Sequence, residues 1–121
     1  MKIAAILTCY NRKEKTFQCL ASLFEIIPTC KVYLVDDNST DGTSTLIHQK
    51  FPQVYLIQGN GNLFWSRGMY TAWKEAIKEN YDYYLWLNDD IKLYSFFLKV
   101  TNRMPNSKQL TLYYIWSHRR F

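Results

Sequence analysis

The chain has 121 residues, which is enough for one globular core and too few for two ordinary domains, so we expect a single domain over residues 1–121. Its 48% hydrophobic content excludes a disordered chain, and no apolar stretch reaches the roughly 18 residues that a membrane span needs. The net charge of +5 comes from a tail with six basic and no acidic residues after position 91. An ordinary solvated surface explains that tail, so no nucleic-acid partner is expected.

Short apolar runs alternate with segments of helical periodicity along most of the chain. The runs predict four buried strands, at residues 2–8, 31–35, 54–58 and 83–87. The periodic segments predict three helices, at residues 17–27, 43–51 and 66–80. Pro28 ends the first helix, and Ser66 is expected to cap the third. This alternation is typical of a doubly wound, Rossmann-like α/β fold, with a mainly parallel sheet and helices on both faces.

Polar residues collect at the carboxyl ends of the predicted strands. The four strands lead into TCYNR, DDNSTDG, QGNGN and NDD, whereas their amino ends carry only ordinary turn residues. In an open parallel sheet, ligands bind beyond the carboxyl ends of the strands. The sequence therefore predicts one functional edge, at which Asp36 and Asp37 lie near Asp90.

The segment VDDNSTDGT has three candidate uses: a calcium loop, a phosphate site or a turn. An EF-hand is disfavoured, because its twelfth position is His48 where a bidentate Glu is required. Turn chemistry explains the NSTDG part, with the glycine at positive φ and Asp41 or Thr40 capping the next helix. This interpretation leaves Asp36 and Asp37 without a role in the turn.

The end of LWLNDD places two adjacent carboxylates, Asp89 and Asp90, after an apolar strand. Such a pair is repulsive unless a cation or hydrogen-bond donors offset the charge. Carboxylate oxygens suit Mg²⁺ or Mn²⁺, which take few protein ligands and complete their shells with water and phosphate. A solvated acidic turn or a helix N-terminus explains the spacing equally well. The polar ends of the other strands favour the metal.

The GNGN loop matches neither G-x-G-x-x-G nor G-x-x-x-x-G-K-[ST], so it is a weak candidate for a phosphate loop. It still leads into a helix N-terminus, which offers backbone amides to an anion, and Arg67 is close in sequence. Phe64 and Trp65 are expected to pack in the core or against the loop rather than to contact a sugar.

The cysteines and the first residues of the chain indicate where in the cell the protein is expected. The three cysteines lack any metal-binding spacing and are expected to be reduced and mostly buried. The opening MKIAAIL becomes polar too soon for a signal peptide. We expect a cytoplasmic protein, either free or at the inner face of the membrane.

Together these motifs resemble the amino-terminal half of the family 2 inverting glycosyltransferases, which have the A-type glycosyltransferase fold. The resemblance covers about residues 2–100 and rests on ILTCYNR, VDDNSTDGT, GNLFWSRGMYTAW and LWLNDD, the last in place of the family's DxD element. It implies a nucleotide-sugar-binding layer over residues 2–100. Residues 101–121 would be the incomplete start of the acceptor half. Independently of the resemblance, the residue pattern of YSFFLKVTNRM favours a helix and that of LTLYYIW a strand.

The resemblance implies where a nucleoside diphosphate sugar binds. The residues that it assigns to the nucleotide and the donor sugar follow the predicted strands or open the third helix: Thr8, Tyr10, Asn11, Arg12, Asp36, Asp37, Arg67, Gly68 and Asp89. In the family, the first loop contacts the base and ribose, and an acid that closes the second strand binds the pyrimidine or ribose. The opening of the third helix approaches the sugar and diphosphate.

The resemblance also implies a metal site and a reaction. Asp90 matches the metal-binding carboxylate, and Asn88 departs from the DxD pattern. A Mg²⁺ or Mn²⁺ ion would stabilise the departing diphosphate of a UDP- or dTDP-type donor. The inverting transfer of a hexose to a glycan or lipid-linked glycan also needs a base, which the family places beyond residue 121. Weak or absent transfer activity is expected from this truncated chain.

Two other functions remain open. A non-catalytic nucleotide-binding or dimerisation module would keep the fold and form a homo-oligomer through LTLYYIW, because an apolar edge strand is a template for pairing. A sugar nucleotidyltransferase would need a glycine-rich, basic loop after the first strand to hold a triphosphate. The corresponding TCYNRKEK has no glycine, which disfavours it.

Overall fold

The computed structural model describes residues 2–93, which form a four-stranded sheet with three helices. The strands are β1 (Ile3–Cys9), β2 (Lys31–Asp36), β3 (Tyr55–Gln58) and β4 (Tyr83–Trp86). The helices are α1 (Lys13–Ile26), α2 (Thr43–Lys50) and α3 (Phe64–Ala76). The helix and strand predicted after position 93, and the proposed boundary near residue 100, lie outside the described residues.

All strand pairs are parallel, in the order β3-β2-β1-β4, which confirms the predicted Rossmann-like α/β layer. Every residue of β1 is buried, because its apolar sequence IAAILTC lies between two strands and under helices on both faces. The chain proceeds from β1 through β2 to β3 and then crosses back, through α3, to β4 on the other side of β1. The strand order therefore reverses between β1 and β4, where ligands bind in open α/β sheets.

Helices cover both faces of the sheet, as predicted. Leu20 and Leu23 of α1 and Ile47 of α2 pack against one face, whereas Met69 and Ala72 of α3 pack against the other. None of the helices within residues 2–93 is long and apolar enough to cross a membrane. The cellular location stays a prediction.

The prediction that Ser66 caps the third helix is wrong. The helix α3 begins at Phe64, so Ser66 lies inside its first turn. A carboxylate from the end of β2 accepts the backbone hydrogen bonds at this helix start, as described below. Since that carboxylate is distant in sequence, the local pattern points to the nearest serine instead.

The turn after β2 has the predicted chemistry. Gly42 has a φ of +87°, a conformation that favours glycine. The Asp41 carboxylate accepts a hydrogen bond from the backbone N–H of Thr43, the first residue of α2, at 3.1 Å. Its other oxygen accepts from the N–H of Lys13 at 3.1 Å, so one side chain joins the starts of α1 and α2.

The three cysteines are free thiols and all are buried, as predicted. Burial raises the pKa of Cys19 and of Cys30 to about 12. These thiols are therefore protonated at neutral pH and behave as small apolar groups of the core.

The substitution Gly68→Ala is expected to destabilise the protein, although alanine is the better helix former. A Cβ at position 68 would lie 2.9 Å from the Cβ of Thr8 in β1, and closer still to the Thr8 hydroxyl. Overpacking costs about 1–3 kcal/mol, against a gain of up to about 1 kcal/mol in helix propensity. Denaturant unfolding measures the difference, with the exposed Ser66→Ala as the control in the same helix. A Gly68→Ala protein as stable as the wild type would contradict this close packing.

Candidate functional site

A cleft of about 610 Å³ opens at the carboxyl edge of the sheet. It lies at the ends of β1, β2 and β4 and beside the start of α3, where the strand order reverses. Its walls are formed by Thr8, Cys9, Tyr10, Arg12, Asp37, Gly61, Phe64, Trp65, Asn88, Asp89 and Asp90. The predicted meeting of distant acids at one edge is therefore confirmed, with Asp37 rather than Asp36 in the cleft wall.

The cleft brings together six of the ten predicted site residues: Thr8, Tyr10, Arg12, Asp37, Asp89 and Asp90. The other four, Asn11, Asp36, Arg67 and Gly68, are not among its lining residues. Three of these four have contacts that organise the fold instead, and Arg67 is exposed on α3. The binding roles of all ten residues remain predictions.

The Asp89 and Asp90 carboxylates face one cation from a different loop. The Nη1 atom of Arg12 lies 3.5 Å from Oδ1 of Asp89 and 3.4 Å from Oδ2 of Asp90. Burial raises the pKa of Asp89, and the positive charge of Arg12 opposes that rise. The expected positive partner of the acidic pair is thus present as an arginine.

Helix α1 holds the segment that carries these acids. The buried Cys19 thiol donates to the carbonyl oxygen of Asn88 at 3.7 Å. The backbone N–H of Leu93 donates to the Ser22 hydroxyl at 2.9 Å, and that hydroxyl donates to the Cys19 carbonyl at 2.8 Å. Because both ends of this loop are bonded to one helix, its acidic residues are fixed relative to α1 and hence to Arg12.

Asn88, the departure from the DxD pattern, has a defined contact across the cleft. Its side-chain oxygen accepts a hydrogen bond from the indole Nε1–H of Trp65 at 3.2 Å. A neutral amide makes this bond without adding a third negative charge beside Asp89 and Asp90. The contact links the end of β4 to the start of α3.

The Asp37 carboxylate is an acceptor for the loop that leads into α3. It accepts backbone hydrogen bonds from Gly61 at 2.8 Å, Leu63 at 3.1 Å and Phe64 at 3.0 Å. A Cβ at Gly59 would lie 2.6 Å from an Asp37 carboxylate oxygen, so the loop approaches closely only because that residue is glycine. The sequence predicts that this helix start offers its backbone amides to an anion, and in the structure that anion is the Asp37 carboxylate.

Asp36 has a similar role in the preceding turn. Its carboxylate accepts from the Ser39 backbone N–H at 3.0 Å and from the Ser44 hydroxyl. Gln58 in turn donates to Ser44 at 2.7 Å, which ties β3 to this group. The interpretation that Asp36 and Asp37 have no role in turns is therefore wrong, because both carboxylates bond to the loops around them.

Asn11 and Gly68 also shape the edge of the sheet. Asn11 has a φ of +49°, and its side-chain oxygen accepts from the Thr40 backbone N–H at 2.7 Å. It thereby joins the loops after β1 and β2. Gly68 lets α3 approach Thr8 of β1, as described above.

The expectation that Phe64 packs in the core or against the loop is wrong, whereas the Trp65 ring does pack, edge-on against Trp86. Phe64 is 73% exposed and Trp65 is 49% exposed, and both line the cleft. Phe64 has a φ of +55°, an unusual conformation for an aromatic residue, which the Asp37 bond to its N–H helps to hold. The sequence feature that indicates a position in the cleft is that both residues directly follow the GNGN loop, at the carboxyl edge of the sheet.

Residues 4–100 match the model of the family described as Glycosyl transferase family 2. The chain belongs to this family. Its motifs at the first loop, the second strand and the NDD segment all lie within the matched residues.

A curated relative of this family 2 chain is Protein RfbJ of Shigella flexneri, 32% identical over 63 residues. The aligned stretch covers 50% of the chain and 49% of RfbJ.

Crystal structures of S. aureus TarS are similar in fold. The complex of TarS residues 1–349 with UDP-GlcNAc has a TM-score of 0.69 at 23% identity over 84% of this chain and 30% of that fragment. The complex of the same fragment with UDP has a TM-score of 0.65 at 22% identity over 84% of this chain and 31% of the fragment.

The substitution Asp37→Asn is expected to lower the free energy of unfolding by about 2–4 kcal/mol, since hydrogen bonds to a charged acceptor are worth about 1.5–3 kcal/mol each. The side-chain NH₂ of the new asparagine would also face backbone N–H groups, which are donors and cannot accept its hydrogen bonds. Denaturant unfolding followed by tryptophan fluorescence measures the change. The control is Asp82→Asn, because Asp82 is exposed and accepts a backbone bond from Lys2 at the opposite edge. Equal stabilities of the two variants would contradict the assigned role.

Proposed function

We propose that the chain is the donor-binding part of a glycosyltransferase. It binds a nucleoside diphosphate sugar of UDP or dTDP type together with Mg²⁺ or Mn²⁺. In a full-length form, it transfers a hexose with inversion to a glycan or lipid-linked glycan. The observation that carries this proposal is the pair of Asp89 and Asp90, which faces a cleft at the reversal of strand order.

The acidic pair fits a hard divalent cation. A single nitrogen of Arg12 already lies within 3.5 Å of both carboxylates, so one ion can interact with the two groups together. Among residues 2–93, no group of three or more His, Cys, Asp or Glu side chains is arranged to hold a metal. This agrees with Mg²⁺ or Mn²⁺, which take one or two carboxylates and otherwise use water and substrate phosphates. Asp90, with Asp89 beside it, would hold the ion.

The residues of the cleft have the chemistry that a departing diphosphate requires. When bound, the divalent ion supplies positive charge to the diphosphate oxygens. Asp89 and Asp90 set the position of that charge, and α1 holds their loop through Cys19 and Ser22. The guanidinium of Arg12 is a second positive group at the same wall, suited to phosphate oxygens.

The aromatic residues of the cleft suit the flat parts of the donor. Tyr10, Phe64 and Trp65 are each about half exposed or more and line the same cavity. Such rings stack on a base or pack against a sugar face at low cost in conformational entropy. The UDP-GlcNAc and UDP complexes of TarS, which has the same fold, support a nucleotide sugar as the ligand. The base for the acceptor hydroxyl stays a prediction for chain beyond residue 121.

Calorimetric titration with UDP, with and without Mn²⁺, tests the proposal. UDP is expected to bind more tightly when Mn²⁺ is present, and dTDP to bind comparably, whereas ADP and GDP bind less well. Asp90→Ala is expected to reduce the Mn²⁺-dependent affinity about tenfold or more, since a charged ligand contact is worth about 1.5–3 kcal/mol.

The matched control is Asp82→Ala, which removes an exposed carboxylate at the amino edge of the sheet, before β4. It is expected to leave UDP and Mn²⁺ binding unchanged. Failure of the wild-type chain to bind UDP under any metal condition would remove the proposal. Binding that is equal in the wild type and in Asp90→Ala would remove the metal assignment.

A further inference from the structure

One cation in the cleft occupies the position that the divalent ion is proposed to take. The Arg12 side chain is 48% exposed, whereas the side chains of Asp89 and Asp90 are 11% and 8% exposed. The Nη1 atom of Arg12 lies 3.5 Å and 3.4 Å from these two carboxylates. A solvent-accessible arginine therefore covers an acidic pair that is nearly buried.

The backbone of Arg12 is fixed although its side chain is long and half-exposed. Its carbonyl accepts from the Thr16 N–H at 2.9 Å in the first turn of α1. The next residue, Lys13, donates its N–H to Asp41, and the preceding Asn11 donates its N–H to Ser39. The guanidinium can thus change partners by rotation of the side chain alone, with its point of attachment held at the cleft wall.

A divalent ion and the Arg12 guanidinium cannot both contact these carboxylates in the same place without strong repulsion. The arginine end of this ion pair is half-exposed, so solvent screens its attraction to the carboxylates, and a divalent ion, with twice the charge, can displace it. Once displaced, the guanidinium remains at the same wall, within reach of the diphosphate that accompanies the ion. Its planar donors match phosphate oxygens better than they match a crowded carboxylate pair.

We propose that Arg12 is a tethered counter-ion that competes with the divalent cation for Asp89 and Asp90 and moves to the diphosphate when the metal and the nucleotide bind together. This inference rests on the proposed function. It makes Arg12 a residue that couples the two ligands: it weakens metal binding without nucleotide and strengthens nucleotide binding with metal. By linkage, metal and nucleotide then each raise the affinity for the other.

Titration of the full chain with Mn²⁺ alone, by calorimetry, tests the first half of the coupling. Arg12→Ala is expected to raise the affinity for Mn²⁺ by up to about fivefold, which corresponds to removal of a competing surface ion pair. Arg12→Gln, which keeps the length but not the charge, is expected to do the same. Arg12→Lys, which keeps the charge, is expected to stay near the wild type.

Titration with UDP at saturating Mn²⁺ tests the second half. Arg12→Ala and Arg12→Gln are expected to weaken UDP binding about tenfold or more, because a charge-assisted contact to phosphate is lost. The two affinities thus move in opposite directions, which general damage to the fold does not produce. The control is Lys13→Ala, since Lys13 contributes its backbone N–H to the fold and its side chain is not among the cleft residues.

The outcomes separate this inference from the proposed function. If no protein binds UDP but the Arg12 variants bind Mn²⁺ more tightly, the counter-ion role stands and the nucleotide assignment fails. If UDP binds to the wild type but the loss of Arg12 leaves Mn²⁺ affinity equal or lower, the counter-ion role is overturned and the proposed function stands. Absence of Mn²⁺ binding by every variant also overturns the counter-ion role.

Discussion

The buried carboxylate of Asp37 is surrounded by backbone N–H groups of the loop that leads into α3, and one wall of the cleft depends on this contact. A buried charge is costly unless hydrogen bonds compensate it, and Gly61, Leu63 and Phe64 each donate one. The contact sets the start of α3 and holds Phe64 in its unusual backbone conformation. The exposed aromatic rings of the cleft are therefore positioned by an acid at the end of β2.

The same kind of contact organises the rest of the carboxyl edge. Side chains of one element bond to the backbone of another: Asn11 to Thr40, Asp41 to Lys13 at the start of α1, and Ser22 of α1 to the segment after β4. These bonds fix the loops relative to the sheet without any ligand. The site proposed for the donor is therefore largely preformed, and the Arg12 side chain in its wall is half-exposed.

The sequence predicts the sheet and its helices well, because the buried side of each strand or helix is visible in the apolar pattern of its own residues. It also predicts the functional edge, since parallel strands bring all carboxyl ends to one side. It does not predict the partners of Asp36 and Asp37, the start of α3 or the exposure of Phe64. The bonds of Asp37 reach residues 24–27 positions away. Such contacts depend on how the loops pack, which no periodicity encodes.

The four acids at the end of β2 and after β4 divide into two pairs with different environments. Asp36 and Asp37 accept hydrogen bonds from loops, so their charge is compensated within the fold. Asp89 and Asp90 line the cleft and pair with the half-exposed side chain of Arg12. A carboxylate at position 88 would add a third charge to a partly buried loop and would strengthen the hold on Arg12. The neutral Asn88 bonds to Trp65 and adds no charge to the pair, whose two negative charges one arginine offsets in part and one divalent ion offsets in full.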